Sequence, residues 1–256
     1  MIKNDTKGIV GIFDALGAKH FSLDKINHFI ESRQVLLDGI TATKQRTKGA
    51  PLPDVFTIND TVIFSISFNH DRCIDEHVIV RDFFTYAREF IGCAICKGIL
   101  FRGAISIGNY IANKNDNIIM GEAVSDAASW YEKSKLFGGF TTPRATIFID
   151  KYSDVIGDKQ YHYLFKKEIK YKTSDLDSYC VNWPQIFFVS SIRPKECKTG
   201  FERKYFIEKL SEHYIDYGTE DKYFNSIAFF DEAVKMEQLK RKSSKSALGN
   251  PAPRDS

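Results

Sequence analysis

The order of strand-like and helix-like segments is the feature that most limits what this chain can fold into. A short apolar run rich in Ile and Val, GIVGIF at 8–13, predicts a buried strand, and apolar residues at helical spacing predict a helix over 22–40. A strand pair with a tight turn at Asn59–Asp60, a second long helix and a further strand follow, over 54–68, 76–97 and 100–108. This βα–ββ–αβ order indicates an α/β sandwich, a sheet with helices on one face.

The rest of the chain adds elements of a more mixed character. A short hairpin around Lys114–Asn117, a third helix over 121–135 and a strand over 145–150 follow the first part. Two aromatic, strand-like segments and two helical segments come after about residue 160, at 161–165, 186–192, 201–215 and 228–242.

The length and composition are those of a globular protein with one large domain. The chain has 256 residues, and 43% of them are hydrophobic, which is enough for a sizeable core. We predict a main domain over 1–160, an extension packed on the same domain over 161–240, and a disordered tail over 241–256. The tail is polar and rich in Ser, Pro and Ala, a composition that buries little apolar surface.

The charge balance and the apolar pattern argue against two classes of partner. The 36 basic and 33 acidic residues leave a net charge of +3, which is too weak to indicate general nucleic-acid binding. No apolar run approaches the roughly 20 residues of a membrane helix, and the N-terminus lacks a signal-peptide pattern. We therefore expect neither a nucleic-acid partner nor a membrane partner.

The cysteines favour reduced thiols. Their number, five, is odd and low for this length, which does not suit a disulfide framework. Cys93 and Cys96 have the C-x-x-C spacing of a metal or redox pair, but no second such pair and no suitably spaced histidine accompany them. The surrounding sequence is that of an amphipathic helix, so we expect packed helix thiols.

Two aspartates stand where strand ends could bring them together. Asp14 directly follows the predicted strand at 8–13, and Asp60 lies at the predicted hairpin tip. If these strands are neighbours, the two carboxylates can hold hard divalent cations, and a pair of such ions can clamp both oxygens of a phosphoryl transfer. The alternative, which spacing alone favours, is that Asp14 caps a helix or forms a turn and Asp60 only shapes the hairpin.

Four segments, in order, resemble the motifs of class III nucleotidyl cyclase catalytic domains. They are GIFDALG at 11–17, FTINDTVIF at 56–64, RGAISIG at 102–108 and GEAVSDAA at 121–128. The family motifs are an F-x-D-I-x-G-F turn, a K-x-x-G-D hairpin, an R-I-G-I-H-T-G strand and a G-D-x-V-N-x-A-x-R helix. The resemblance covers roughly residues 7–150 and implies an α+β, ferredoxin-like fold with a mostly antiparallel sheet.

The resemblance also implies a set of site residues. The two metal aspartates of the family match Asp14 and Asp60, and the backbone carbonyl of Ala15 would be a further metal ligand. Mn²⁺ or Mg²⁺ dependence with two ions per site, a homodimer with nucleotide sites at its interface and a cytoplasmic location are implied as well. The amides of Ala15, Leu16 and Gly17 would then cradle the phosphates.

The departures from the family pattern point to a particular branch. Phe56 stands where the family has a lysine that reads adenine, and Ser125 and Ser129 replace an asparagine and an arginine. The sequence thus resembles the bacterial pyrimidine cyclases of the Pycsar anti-phage system, which make cyclic UMP or cyclic CMP to activate a partner effector. We expect UTP rather than CTP as the substrate, because uridylate cyclases are the commoner branch of that family. Phe56 would stack on the base or shape its pocket, although ordinary strand packing is an open alternative.

The serines change the expected charge balance of the site. Ser125 and Ser129 could bond ribose or phosphate oxygens, but they cannot neutralise charge as an arginine would. A cation must then come from elsewhere, and Arg102 is the first candidate. Three lysines are further candidates unless they are only solvated surface charges: Lys19, Lys97 and Lys135.

Other functions stay open on the sequence alone. The serine replacements also suit a cyclase-like module that binds nucleotides without turnover. A purine cyclase, or an interaction protein built on the same sheet, is the remaining alternative.

Overall fold

The computed structural model describes residues 6–18, 21–43, 51–69, 74–152, 164–170, 175–188, 193–213 and 218–248. Within these ranges the chain forms eight strands: β1 (Thr6–Ala15), β2 (Asp54–Ile58), β3 (Thr61–Ser67), β4 (Phe101–Asn113), β5 (Ile118–Gly121), β6 (Gly138–Thr141), β7 (Leu164–Lys170) and β8 (Asp175–Val181). The helices in the same ranges are α1 (Leu23–Thr43), α2 (Glu76–Cys96), α3 (Glu122–Trp130), α4 (Pro143–Asp150), a 3₁₀ helix (Trp183–Phe187), α5 (Glu202–Ser211) and α6 (Glu220–Leu248).

The strands form one sheet in the order β2-β3-β1-β4-β6-β8-β7, with β5 paired to β4. β1 runs antiparallel to β3 on one side and to β4 on the other, whereas β4 and β6 are parallel. The first four strands, with α1 and α2 between them, have the β-α-β-β-α-β connectivity of ferredoxin-like folds. The prediction of an α+β fold with a mostly antiparallel sheet is therefore confirmed.

Helices cover both faces of the sheet. Ile9 and Phe13 of β1 pack in the main core, which also contains buried residues of α1 and α2. Val10 and Ile12 point the opposite way, because side chains alternate along a strand, and they pack in a smaller cluster with Ala123 of α3. The prediction of helices on one face is thus wrong, since the small side chains of α3 let it lie against the second face.

The segment 145–150 is helical, so the prediction of a strand there is wrong. Thr142 caps the helix by accepting a hydrogen bond from the Ala145 amide at 3.3 Å, and Pro143 occupies the first turn. Ala145 and Ile149, four residues apart, are buried on one face, while Ile147 is exposed. A cap and helical spacing outweigh the strand preference of the β-branched residues here. The short strand β6, directly before this helix, was not predicted.

Three further boundaries differ from prediction. The third helix ends at Trp130 rather than near 135, and the segment at 186–192 begins within the 3₁₀ helix instead of a strand. Helix α6 begins at Glu220 and its backbone runs to Leu248, so the start of the predicted tail is helical. The residues 161–163, 189–192 and 249–256 of the predicted segments lie outside the described residues.

The chain after residue 160 shares the sheet and the core of the first part. β8 pairs with β6 through Phe140 and Cys180. Trp183 is fully buried, with its ring centroid 5.3 Å from that of Phe206 and 5.8 Å from that of Phe229. The third turn of α6 is thereby packed against the 3₁₀ helix.

The C-x-x-C pair behaves as packed thiols. The Cys96 thiol donates to the Gly92 carbonyl within α2, and burial raises its pKa to about 12, which disfavours the thiolate that binds metals. Cys93 packs against the same core. Cys73 lies outside the described residues.

Across the described ranges, the helices lack the combination of length and apolar character that crossing a membrane requires.

The buried hydroxyl of Ser226 gives a test of how α6 is held. It accepts a hydrogen bond from the Phe137 amide at 3.0 Å and donates to the Lys222 carbonyl at 2.6 Å. We expect Ser226→Ala to lower the free energy of unfolding by about 1–2 kcal/mol, because the buried amide loses its acceptor. Urea denaturation measures the loss, and Ser211→Ala, at an exposed hydroxyl of α5, is the control. Equal losses in the two variants would contradict this role.

Candidate active site

A cavity of about 450 Å³ opens where β1 ends, within the size range of small-molecule sites. Its wall contains the turn 14–18, the hairpin residue Asp60 and Arg102 of β4. Tyr131 and Glu132, directly after α3, complete the part contributed by the first 150 residues. The C-terminal part of the chain adds three more residues: Thr219, Lys222 and Tyr223.

The pairing of β1 positions Asp14 at this cavity. β1 continues past the predicted strand to Ala15, so Asp14 lies opposite Thr61 on β3 and opposite Arg102 on β4. The Thr61 hydroxyl donates to Asp14 Oδ1 at 2.9 Å. Arg102 donates to Asp14 Oδ2 from Nε at 3.0 Å and from Nη2 at 2.8 Å. The Asp14 carboxylate is thus held by a donor from each neighbouring strand.

Asp60 reaches the same cavity through the tight turn between β2 and β3. Asn59 adopts a positive φ of 53°, which asparagine tolerates better than most residues. Arg33 of α1 donates to the Asn59 carbonyl at 2.5 Å, and the Ala15 amide donates to the Asp60 carbonyl at 3.2 Å. The hairpin tip is therefore fixed to the end of β1, and the two aspartates line one cavity.

Glu132, which helical spacing groups with Ser125 and Ser129, is a third acid at the cavity. Arg102 Nη2 donates to Glu132 Oε1 at 3.1 Å, so one guanidinium bridges two carboxylates. The Tyr131 ring lies under the same guanidinium, with its centroid 5.3 Å from Cζ. Burial and then the Asp14 charge raise the pKa of Tyr131, so the phenol stays protonated beside the aspartate. Helix α3 ends at Trp130, so Glu132 lies beyond it, whereas Ser129 is exposed on the helix.

The donor set fits a hard divalent cation. Three carboxylates and two cationic side chains line the cavity, which leaves an excess of negative charge there. Among the described residues, no group of three His, Cys, Asp or Glu is arranged to hold a metal. A cation on Asp14 and Asp60 would therefore take its other ligands from backbone carbonyls, water and substrate phosphates, which is how Mg²⁺ is commonly bound. Arg102 would compete with it for Asp14.

The predicted backbone cradle for phosphate is largely occupied. The Ala15 amide bonds the Asp60 carbonyl, and the Leu16 amide bonds the Leu100 carbonyl at 2.8 Å. Both bonds follow from the continuation of the sheet beyond residue 13. Gly17 turns the chain with a φ of +76°, a conformation that favours glycine. In the described turn, the Ala15 and Leu16 amides thus donate to backbone carbonyls, whereas no backbone acceptor is seen for the Gly17 amide.

Three other predicted site residues lie outside the cavity wall. Phe56 is fully buried in the smaller cluster with Val10 and Ile63, so its ring packs within its own chain. Ser125 and Ser129 are exposed on α3, and the Ser129 hydroxyl donates to the Asp126 carbonyl at 2.8 Å. Base stacking by Phe56 is thus not available in this arrangement, because the ring is fully buried in that cluster.

Of the cationic side chains predicted for the site, one lines the cavity and others lie elsewhere. Arg102 lines the cavity, whereas Lys97 borders a separate apolar cavity between α1 and α2. Lys135 forms a surface ion pair with Asp221 at 3.4 Å, and Lys19 lies outside the described residues. Lys222 is the cation that sequence reasoning missed, because it precedes the helix predicted over 228–242 and no local pattern connects it with Asp14.

Comparisons with known proteins find similar structures but no similar sequences. No protein-family model and no curated protein matches the chain. The dimeric guanylyl cyclase domain of the RhoGC fusion protein from the aquatic fungus Blastocladiella emersonii is 14% identical, over 71% of this chain and 97% of that chain, with a TM-score of 0.47. The guanylate cyclase domain of RhGC from Catenaria anguillulae, in complex with GTP, is 13% identical over 70% and 97%, with a TM-score of 0.43. The adenylyl cyclase CyaB from P. aeruginosa is 10% identical over 70% and 94%, with a TM-score of 0.42. Similarity at this level carries no conclusion about substrate.

Removing the guanidinium of Arg102 tests the charge balance of the cavity. The Asp14 carboxylate is only 12% exposed, and in Arg102→Gln it keeps Thr61 but loses its counter-charge. We expect the free energy of unfolding to fall by about 2–3 kcal/mol, measured by urea denaturation without divalent cations. Arg144→Gln is the matched control, because Arg144 pairs with Glu122 at the surface and should cost little. A similar effect of the two substitutions would show that Asp14 does not depend on Arg102.

Proposed function

We propose that this protein is a divalent-cation-dependent nucleotide cyclase that converts a nucleoside triphosphate to its 3′,5′-cyclic monophosphate and pyrophosphate. The observation that carries the proposal is the convergence of Asp14 and Asp60 on one cavity at adjacent strand ends of a ferredoxin-like sheet. The ordered motifs that contain these aspartates resemble those of class III cyclases. The proposal joins this sequence resemblance to the cavity and its donor set.

The reaction makes clear demands on such a cavity. The ribose 3′-oxygen forms a bond to the α-phosphorus, the bond from that phosphorus to pyrophosphate breaks, and the hydroxyl proton passes to solvent. A bound Mg²⁺ or Mn²⁺ pair would favour the deprotonated hydroxyl and neutralise the leaving group. Asp14 and Asp60 are the residues that would hold these ions, and the Ala15 carbonyl is a further oxygen at the same turn.

Arg102 suits a role on the phosphate side of the cavity. Its guanidinium contacts both Asp14 and Glu132, so it can leave one carboxylate while it keeps the other. A guanidinium can donate two parallel hydrogen bonds to a phosphate group and carries a charge that does not depend on pH. In the proposed reaction Arg102 neutralises the transferring phosphate. The uncharged hydroxyl of Ser129 could not do this.

We favour a pyrimidine substrate, UTP before CTP, and the support is the sequence. Phe56 replaces the lysine that reads adenine in purine cyclases, and its burial leaves no base-reading group at that position. Tyr131 and Tyr223 at the cavity are aromatic side chains on which a base could stack. The same donor set would serve ATP or GTP, so a purine cyclase is the competing proposal. UTP and CTP differ at one base edge, where a single donor or acceptor can discriminate them.

The rest of the proposal concerns assembly and signalling. Ser125 and Ser129 are exposed on α3, a position from which they could contact a nucleotide held by a second copy of the chain. We therefore propose a homodimer with nucleotide sites at its interface. A cyclic pyrimidine nucleotide would then act on a separate effector, in the anti-phage role that the resemblance implies.

The substrate assay uses purified protein, Mn²⁺ and each of the four nucleoside triphosphates, with product identified by mass spectrometry. We expect cyclic UMP as the main product, with less cyclic CMP. Cyclic AMP or cyclic GMP alone would overturn the pyrimidine assignment and leave the cyclase proposal intact. Nucleotide binding without any cyclic product would instead favour a nucleotide-binding module.

Substitution of the aspartates tests the reaction centre. We expect Asp14→Asn and Asp60→Asn each to lower product formation by at least about 100-fold, because each removes a charged ligand of the divalent cations. Asp38→Asn, at an exposed aspartate of α1, is the matched control and should keep full activity. Circular dichroism confirms that each variant is folded. Full activity in a folded Asp60→Asn variant would remove the two-carboxylate basis of the proposal.

A further inference from the structure

The start of α6 forms part of the cavity wall opposite the aspartates. Thr219, Lys222 and Tyr223 all line the cavity, and Lys222 is half-buried there. These residues come from the C-terminal part of the chain, to which neither the motifs nor the resemblance over 7–150 assigns a function. The structure thus brings a cation to the cavity from a segment without an assigned role.

Several specific contacts fix this part of α6. The Asn225 side chain donates to the Lys135 carbonyl at 2.9 Å, and Ser226 bonds both the Phe137 amide and the Lys222 carbonyl. The Lys222 amide donates to the Thr219 carbonyl at 3.0 Å, which closes the first turn. The backbone of Lys222 is therefore anchored to the chain segment that leads into β6.

The position of Lys222 conflicts with local helix preferences. The N-terminal turn of a helix carries partial positive charge and favours acids, as Glu220 and Asp221 illustrate. A lysine directly after them opposes that preference. Lys222 thus brings a positive charge to the cavity at a helix end that is itself partly positive.

The proposed substrate is strongly anionic. A nucleoside triphosphate brings about four negative charges into a cavity that already contains three carboxylates. The Ala15 and Leu16 amides are bonded to other carbonyls, and Arg102 is shared between Asp14 and Glu132. Lys222 is the second cationic side chain of the wall.

We infer that Lys222 binds the polyphosphate of the substrate, so that the C-terminal helix completes the site within the same chain. Its ammonium group donates charge-assisted hydrogen bonds to non-bridging phosphate oxygens, and no covalent step is required of it. This inference rests on the proposed function for the identity of the substrate. It depends on the triphosphate and not on the base.

The test measures binding without turnover. Isothermal titration calorimetry follows 3′-deoxy-UTP, which lacks the attacking hydroxyl, and inorganic tripolyphosphate, which lacks a base. We expect Lys222→Met to weaken the binding of both probes by about 10- to 100-fold and Lys222→Arg to restore most of the affinity. Lys235→Met, at an exposed lysine of the same helix, should stay within about twofold of the original protein. Thermal unfolding confirms that the variants are folded.

The outcomes separate this inference from the proposed function. If the original protein forms a cyclic nucleotide and Lys222→Met binds tripolyphosphate normally, the inference fails and the cyclase proposal stands. If no triphosphate is cyclised but Lys222→Met still loses tripolyphosphate binding, the polyphosphate contact stands and the cyclase proposal fails. Absence of tripolyphosphate binding by the original protein, or failure of Lys222→Arg to recover it, overturns the inference. For an active enzyme, we expect the substitution to raise KM more than it lowers kcat.

Discussion

The pairing of β1 on both sides, up to its last residues, is the constraint on which the cavity depends. Because Asp14 lies opposite Thr61 and Arg102, its two oxygens receive donors from both neighbouring strands. A slip of one residue would turn Asp14 to the face where Phe13 packs in the main core, and a carboxylate there would lack donors. The pattern that buries Phe13 and Val10 on opposite faces therefore also directs Asp14 to the cavity.

Much of this arrangement could be predicted from local sequence. The apolar run of β1, the Asn59–Asp60 turn and the helical spacing of α1 and α2 are short-range signals, and each predicted element is present. The mostly antiparallel, ferredoxin-like sheet followed from that sequence of elements and the resemblance, because few connections are possible between such elements. Asp14 and Asp60 line one cavity because Asp14 pairs with Thr61, the residue that follows Asp60 at the turn between β2 and β3.

The rest depended on packing between distant segments. The segment 145–150 has strand-forming residues, but the Thr142 cap and the burial of Ala145 and Ile149 favour a helix. Phe56 was expected at a base because the resemblance gives its motif position that role, yet it is fully buried in the smaller cluster. Lys222 reaches the cavity through the return of α6, which has no local signature in the sequence.

The anchoring of α6 makes the cavity wall and the aromatic core one cooperative unit. The same helix places Lys222 at the cavity and, about two turns later, packs Phe229 and Phe230 around Trp183. Local opening of the first three turns would therefore also break these ring contacts, so its free energy approaches that of global unfolding. In hydrogen–deuterium exchange, the amides of the second and third turns of α6 would then exchange together with those of β6, as slowly as the interior of the sheet.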